Sequence, residues 1–112
     1  EIIPESLMDC VTAVSGSGPA FVFFFFFFFA DAAVKCGMPR SQSYTFAAQT
    51  VYGSAAMVLE TKEHPAVLKD KVCSPAGTTI EGIAALEANG FRNAIIEAVS
   101  ASYNKSISIG KK

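Results

Sequence analysis

A run of phenylalanine constrains the fold of this chain more than any other feature. Residues 21–29 read Phe-Val followed by seven Phe, so the segment is apolar on every face. Aromatic residues are enriched in strands, but one strand without a second strand pattern in the chain would leave its backbone groups unpaired. We therefore predict a helix that must be buried all round, either at the centre of the fold or in an interface between subunits.

The segments that follow the run show the three- and four-residue spacing of helices. Apolar residues recur at this spacing over residues 40–60 and again over residues 91–107. Glycine and proline mark the breaks: a Ser-Gly-Ser-Gly-Pro sequence at residues 15–19, Gly37, Pro39, Pro65 and Asn89-Gly90. We predict an all-α fold, one helical domain of about six helices over residues 1–112. The helices are expected at residues 5–14, from Pro19 to Gly37, at 40–60, from Pro65, from Thr78 to about Ala88, and from Phe91. Lys105, Lys111 and Lys112 are expected near the C-terminus of the last helix, where the helix dipole favours positive charge.

Composition narrows the functional classes. With 112 residues, 51% of them hydrophobic, the chain is expected to bury a core. A net charge of −1 without a block of Lys or Arg argues against nucleic-acid binding. Cys10, Cys36 and Cys73 show no CxxC pairing and His64 is the sole histidine, so we expect a reducing compartment and no metal site such as structural zinc.

The Phe run also raises the question of export or membrane insertion. The preceding segment carries Glu1, Glu5 and Asp9 and no Lys or Arg, the opposite of a secretory leader. Asp31 and Lys35 bound the apolar stretch, and we expect it to fall short of the roughly 18 residues that span a bilayer. The sequence thus predicts a cytoplasmic protein without a membrane partner.

A second informative segment is the loop at residues 73–81, Cys-Ser-Pro-Ala-Gly-Thr-Thr-Ile-Glu. Thr78 and Glu81 have the spacing of a capping box, which predicts that a helix starts at Thr78. Free amides at a helix N-terminus, with the hydroxyls of Ser74, Thr78 and Thr79, can hold a carboxylate or a phosphate. Most capping boxes only start helices, so the motif by itself leaves both readings open.

Several segments together resemble the pyrroline-5-carboxylate reductase family. They are the stretch at residues 12–20, the Gly-Met-Pro-Arg at 37–40, the Ala-Gln-Thr-Val at 48–51 and, above all, the signature-like stretch at 65–87. The resemblance covers essentially the whole chain but corresponds only to the family's C-terminal helical domain. It implies a domain that interlocks with a second copy in a homodimer, with larger assemblies of such dimers common.

The resemblance also implies an activity and a site. Members reduce the C=N bond of pyrroline-5-carboxylate with NADPH or NADH and make L-proline. The family's carboxylate-binding loop falls on Ser74, Gly77 and Thr78, and its hydroxyl near the imine nitrogen falls on Thr79, which is the expected catalytic residue. Because the chain lacks a Gly-rich turn after a strand, the cofactor is expected to bind mainly to an N-terminal domain that is absent here. The isolated domain is accordingly expected to be inactive.

Two departures from the family pattern stand out. Ala76 occupies a position where the family often has glycine, and its methyl group could narrow the loop. The block from Phe24 to Phe29 replaces a mixture of Leu, Ile, Ala and an acidic residue, the last at Phe27. Overpacking of this kind typically costs about 1–3 kcal/mol for each forced insertion, so the native dimer geometry is in question. Sequence error, engineering and true divergence are all open explanations of the block.

Other residues carry competing interpretations. The sequence at residues 15–19 could line the site near the nicotinamide or could only connect helices. His64 is interpreted as a helix-capping or surface residue, and Cys73 as a small buried thiol. Three lysines are interpreted as a solvated face: Lys62, Lys69 and Lys71. Three tyrosines are interpreted as packing in helix interfaces: Tyr44, Tyr52 and Tyr103. For the whole chain, the alternative to an enzyme domain is a non-catalytic helical dimerisation module.

Overall fold

The computed structural model describes residues 2–110, which form helices, turns and short loops with no strand among them. The α-helices are α1 (Met8–Val11), α2 (Gly18–Lys35), α3 (Arg40–Thr61), α4 (Pro65–Val72), α5 (Thr78–Ala88) and α6 (Phe91–Gly110). A 3-10 turn at Glu5–Leu7 precedes α1, and a π-helical turn at Thr12–Gly16 follows it. The all-α prediction and the count of about six helices are confirmed. Glu1, Lys111 and Lys112 lie outside the described residues.

The chain divides into two compact units. The first combines residues 1–23 with residues 86–112, and two side-chain hydrogen bonds tie its N-terminal segment to α6. The Ser17 and Ser102 hydroxyls are 2.6 Å apart, and the Ser106 hydroxyl donates to Asp9 at 2.6 Å. These half-buried bonds set the register between the two segments of this unit.

The second unit comprises residues 24–85 and holds most of α2, together with α3, α4 and most of α5. Arg40 at the start of α3 forms an ion pair with Asp31 of α2, and the hydrogen bond to Asp31 raises the pKa of the Arg40 guanidinium. Phe25 and Phe29 of α2 line an apolar groove together with Val51, Ala55 and Val58 of α3. Helices α2 and α3 therefore share an apolar groove, and an ion pair connects them at one end.

The Ser-Gly-Ser-Gly-Pro sequence does not end the N-terminal helix where we predicted. The helix continues through Ser15 and Gly16 as the π-turn, in which the Ser17 amide donates to the Thr12 carbonyl at 3.0 Å. The interruption is confined to Ser17, and the Ala20 amide then donates to the Ser17 carbonyl at the start of α2. A π-turn accommodates one extra residue without breaking the helix, which periodicity in the sequence could not indicate.

The stop at Gly37 is confirmed. Gly37 has a φ of +110°, its amide donates to the Val34 carbonyl, and the Met38 amide donates to the Ala33 carbonyl. These two bonds are the pair that defines a Schellman motif. The motif turns the chain sharply between α2 and α3, and Pro39 takes the cap position of α3 instead of the first helical position.

Burial contradicts the expectation that one chain buries a core. The buried residues among those described are Ala13, Ala30, Ser43 and Ala47, so no large apolar side chain is fully buried there. Phe24 is 60% exposed and Phe28 is 52% exposed. The Phe helix therefore does not lie at the centre of this chain's fold, because the other helices cover only one of its faces.

The expectation that the apolar stretch is too short for a membrane is also wrong. Since the helix runs on through the π-turn, the segment Glu5–Lys35 is long and apolar enough to cross a bilayer by length and composition. One such helix is weak evidence, because core helices and leader sequences meet the same criterion.

The Schellman glycine provides a test of this description. Replacing Gly37 by Ala should reduce the free energy of unfolding by about 1–2 kcal/mol, because a side chain is disfavoured at positive φ. Chemical denaturation of the two proteins measures the difference. Gly82→Ala is the matched control, since a methyl group there meets no atom within 4 Å and should stabilise the interior of α5 by about 0.5–1 kcal/mol. Equal effects at both glycines would contradict the role of the turn.

Candidate active site

The loop before α5 is a tight turn over Ser74, Pro75, Ala76 and Gly77. The Gly77 amide donates to the Ser74 carbonyl at 3.1 Å, and Ala76 at the third position has a φ of +57°. Proline at the second position with a positive φ at the third is the pattern of a type II turn. The turn therefore places Ser74 directly beside the first residues of α5.

Ala76 sits where the turn geometry favours glycine. A type II turn prefers glycine at the position that Ala76 occupies, and a left-handed conformation costs an L-residue about 1–2 kcal/mol. The sequence interpretation, that the methyl group narrows the loop, missed this effect, because the cost comes from the backbone angle at Ala76. In the sequence, the spacing of Pro75 and Gly77 was the feature that could have indicated the turn.

Helix α5 begins at Thr78 as predicted, but the capping box does not form. Thr78 is the first helical residue, so the cap position falls on Gly77 and Glu81 lies one residue past the position that a box requires. Gly77 has no side chain with which to cap, and the amides of the first turn lack intrahelical carbonyl partners. They are available to an acceptor from outside the helix.

The predicted site residues lie together within this one segment. Ser74 and Thr78 are exposed, and Gly77 and Thr79 are half-buried. Free amides, the positive end of the helix dipole and three hydroxyl groups suit a carboxylate.

Gly77 allows a close approach of the Ser74 side chain. A Cβ at residue 77 would collide with the Ser74 hydroxyl oxygen and come within 3.3 Å of the Ser74 carbonyl oxygen. Glycine at residue 77 therefore lets the Ser74 hydroxyl lie against the backbone at the start of α5.

His64 caps α4. Its ring Nδ1 accepts a hydrogen bond from the Ala66 amide at 3.0 Å, and Pro65 takes the first helical position. The prediction of a capping histidine is confirmed.

The lysines at residues 62, 69 and 71 lie on the surface, as predicted. Lys69 pairs with Asp70 at 2.7 Å, and Lys71 pairs with Glu63 at 2.8 Å. The hydrogen bond to Asp70 raises the pKa of the Lys69 ammonium. Exposed pairs of this kind contribute little to stability.

The three tyrosines, which we expected in helix interfaces, are exposed within this chain. Tyr52 is 77% exposed and Tyr44 is 44% exposed, with the Arg40 guanidinium 5.9 Å from the centre of the Tyr44 ring. Tyr103 is also exposed. If these rings pack in helix interfaces, the other helices lie outside the described residues.

The cysteines and acidic groups show no arrangement for metal chemistry within residues 2–110. Cys10 and Cys36 are exposed free thiols, and Cys73 is half-buried instead of fully buried. No cluster of three or more His, Cys, Asp or Glu side chains forms among the described residues.

Comparisons with known proteins agree on one family. The family model described as "Pyrroline-5-carboxylate reductase dimerisation" matches residues 5–109. The pyrroline-5-carboxylate reductase of Escherichia coli is 58% identical over 111 residues, which are 99% of this chain and 41% of that protein. The enzyme of Synechocystis is 56% identical over 110 residues, 98% of this chain and 41% of that protein.

A solved structure shows the same fold. The Plasmodium falciparum pyrroline carboxylate reductase, a structure with NADP bound, superposes with a TM-score of 0.92 at 41% identity and covers 96% of this chain and 44% of that one. The chain therefore spans about two fifths of the length of its curated relatives.

The strain at Ala76 can be measured. Ala76→Gly should increase the free energy of unfolding by about 0.5–1 kcal/mol, since relief of the left-handed strain exceeds the added entropy of the unfolded chain. Thermal and denaturant unfolding measure the change. Ala84→Gly, inside α5, is the control and should reduce stability by about 0.5–1 kcal/mol. A loss of stability in both variants would contradict the turn assignment.

The close approach at Gly77 predicts a different effect. Gly77→Ala should move the Ser74 hydroxyl away from the start of α5, because the new methyl group takes its place. A crystal structure of the variant would show whether the hydroxyl has moved. An unchanged Ser74 rotamer would contradict the prediction.

Proposed function

The chain belongs to the pyrroline-5-carboxylate reductase dimerisation family, and on this premise we propose that it is the C-terminal part of an enzyme that reduces pyrroline-5-carboxylate to L-proline. In this proposal the chain supplies the substrate-binding site and the surface through which a homodimer forms, and such dimers can build larger assemblies. The parent enzyme is assigned to the cytoplasm. The observation that carries the proposal is the turn of residues 74–77, which sets the Ser74 hydroxyl against the start of α5, where Thr78 and Thr79 follow.

The substrate carboxylate is assigned to the start of α5. The amides of the first turn and the hydroxyls of Ser74 and Thr78 donate hydrogen bonds to it, and the helix dipole favours its negative charge. Gly77 keeps the Ser74 hydroxyl against this backbone. Donors aligned in advance would orient the substrate without a further loss of freedom on binding.

Thr79 is assigned to the imine nitrogen. Thr79 is half-buried, whereas Ser74 and Thr78 are exposed, and it lies in the first turn of α5. A threonine hydroxyl is a poor acid at neutral pH, so its role is to donate a hydrogen bond that orients and polarises the C=N bond.

The residues of this chain do not fit a dinucleotide. Residues 2–110 contain no strand followed by a Gly-rich turn and a helix, which is the unit that binds NADPH or NADH in the fold that this family implies. The relative from Plasmodium falciparum was solved with NADP. We therefore assign the cofactor to a part of the parent protein outside this chain and expect the isolated chain to be inactive.

The competing function, a helical dimerisation module without catalysis, has one observation in its favour. The apolar side chains of α2 are widely exposed in the single chain, which suits a protein whose main task is association. A module of this kind does not need free amides and clustered hydroxyls at α5, so substitutions there would affect neither its folding nor its association.

Thr79 distinguishes the two functions. In the parent enzyme, Thr79→Val removes the hydroxyl and nearly preserves the volume, and kcat/KM for pyrroline-5-carboxylate should fall about 10–100-fold as one hydrogen bond to the reacting group is lost. Oxidation of NADPH followed by absorbance measures the rate.

Two controls accompany this measurement. Thr79→Ser should retain most of the activity because the hydroxyl remains. Thr61→Val, in which the lost hydroxyl donates to the Met57 carbonyl and accepts from the Glu63 amide, should leave the rate unchanged. Full activity in Thr79→Val would exclude the role assigned to this hydroxyl, and a parent without any reductase activity would favour the module.

A further inference from the structure

The strain in the turn of residues 74–77 is concentrated at one backbone position. Among residues 2–110, the non-glycine residues with a positive φ are Lys62, at +59°, and Ala76, at +57°. Lys62 is the C-cap of α3, where a left-handed conformation is common because it ends a helix. Ala76 caps neither α4 nor α5, so its left-handed conformation belongs to the turn alone.

A second form of the same turn removes this strain. Type I and type II turns differ by rotation of the peptide group between their second and third residues, and in type I the third residue has a φ of about −90°. Both types accept proline at the second position and close with the same bond, which here runs from the Gly77 amide to the Ser74 carbonyl at 3.1 Å. A type I form therefore keeps this bond and Pro75, and it relieves Ala76.

The surroundings of the central peptide group do not oppose the rotation. Pro75 and Ala76 are both exposed, and the Ala76 amide donates to no acceptor among the described residues. The close approach of the Ser74 hydroxyl to Gly77 involves the two ends of the turn. Because the left-handed conformation disfavours an L-residue about 5–30-fold, alanine at residue 76 shifts the balance towards type I by about this factor relative to glycine.

The two forms differ in the polarity that they present to an anion. A peptide group is planar, and its C=O and N–H bonds point in opposite directions. Rotation therefore exchanges the Pro75 carbonyl and the Ala76 amide on each side of the turn. Backbone N–H groups attract an anion and carbonyl oxygens repel it, so a carboxylate beside the turn binds the two forms with different affinities and shifts the balance between them.

We propose that residue 76 sets the apparent affinity of the substrate site through the form of this turn. The proposal rests on the proposed function, in which the turn and the start of α5 bind the substrate carboxylate. The carboxylate binds the type II form, and Ala76 lowers the fraction of free protein in that form. The apparent dissociation constant is the intrinsic constant divided by the competent fraction, so Ala76 is a positioning residue that weakens binding through the backbone.

Substitutions at residue 76 of the parent enzyme test the proposal. Ala76→Gly should lower KM for pyrroline-5-carboxylate at least about threefold with kcat unchanged, because the form of the turn affects binding alone. Ala76→Asn should also lower KM, since asparagine tolerates the left-handed conformation. Ala76→Val should raise KM, since a β-branched residue is an outlier at positive φ.

The asparagine variant separates the backbone effect from crowding by the side chain. Asparagine is larger than alanine, so a site that the Ala76 methyl group only narrows should bind more weakly in Ala76→Asn. Ala84→Gly, at an exposed position inside α5, is the control for an added glycine and should change KM less than about twofold, because distant sites act independently. Calorimetry with L-proline as the probe gives dissociation constants without turnover, and circular dichroism confirms that each variant is folded.

The outcomes separate this proposal from the proposed function. An active parent whose KM and dissociation constants are the same in the three variants, or rise in Ala76→Gly, would overturn the proposal and leave the function intact. Tighter binding in Ala76→Gly with weaker binding in Ala76→Asn would also refute it, in favour of crowding. A parent without reductase activity whose affinity for L-proline follows the series would overturn only the function, and one that binds no L-proline would overturn both.

Discussion

The structure depends on one constraint: a helix that is apolar on all sides must be covered on all sides. Helix α2 has apolar residues around its whole circumference, and its own chain covers one face, where Phe25 and Phe29 meet α3. The residues fully buried in the described part of the chain are small, three alanines and a serine. Large apolar side chains supply most of the free energy that stabilises a core, so a chain that leaves them exposed needs a partner to be stable.

This constraint separates the two tasks of the chain. We propose association as the role of the exposed aromatic side chains of α2 and ligand binding as the role of the turn at Ser74–Gly77 and the start of α5. All of these residues belong to the unit of residues 24–85. The turn contains a strained backbone position at Ala76 and a close approach at Gly77. Strain of this kind persists only where surrounding structure compensates for it. The residues around the turn must therefore hold it in this conformation.

The sequence predicted much of the fold and the position of the site. Glycine and proline gave the ends of α2, α4 and α5 because their backbone preferences act locally. The site residues are predicted through the resemblance of residues 65–87 to a family, because the loop motif by itself favoured a plain helix start. The predictions that failed are the helix break at Ser15, the capping box at Thr78, the burial of a core by one chain and the shortness of the apolar stretch.

The sequence by itself determined that this chain is helical and where most of its helices begin and end, including the start of α5 at Thr78. These properties follow from the preferences of single residues and from spacings of three and four positions, which the chain expresses without a partner. Only the tertiary structure decided which Phe side chains face α3 and which face outwards, and that Ala76 takes a left-handed conformation. The reason is that the Phe run is apolar in every direction, so its sequence carries no periodicity that could mark an inner face, and the packing of α3 against α2 selects one.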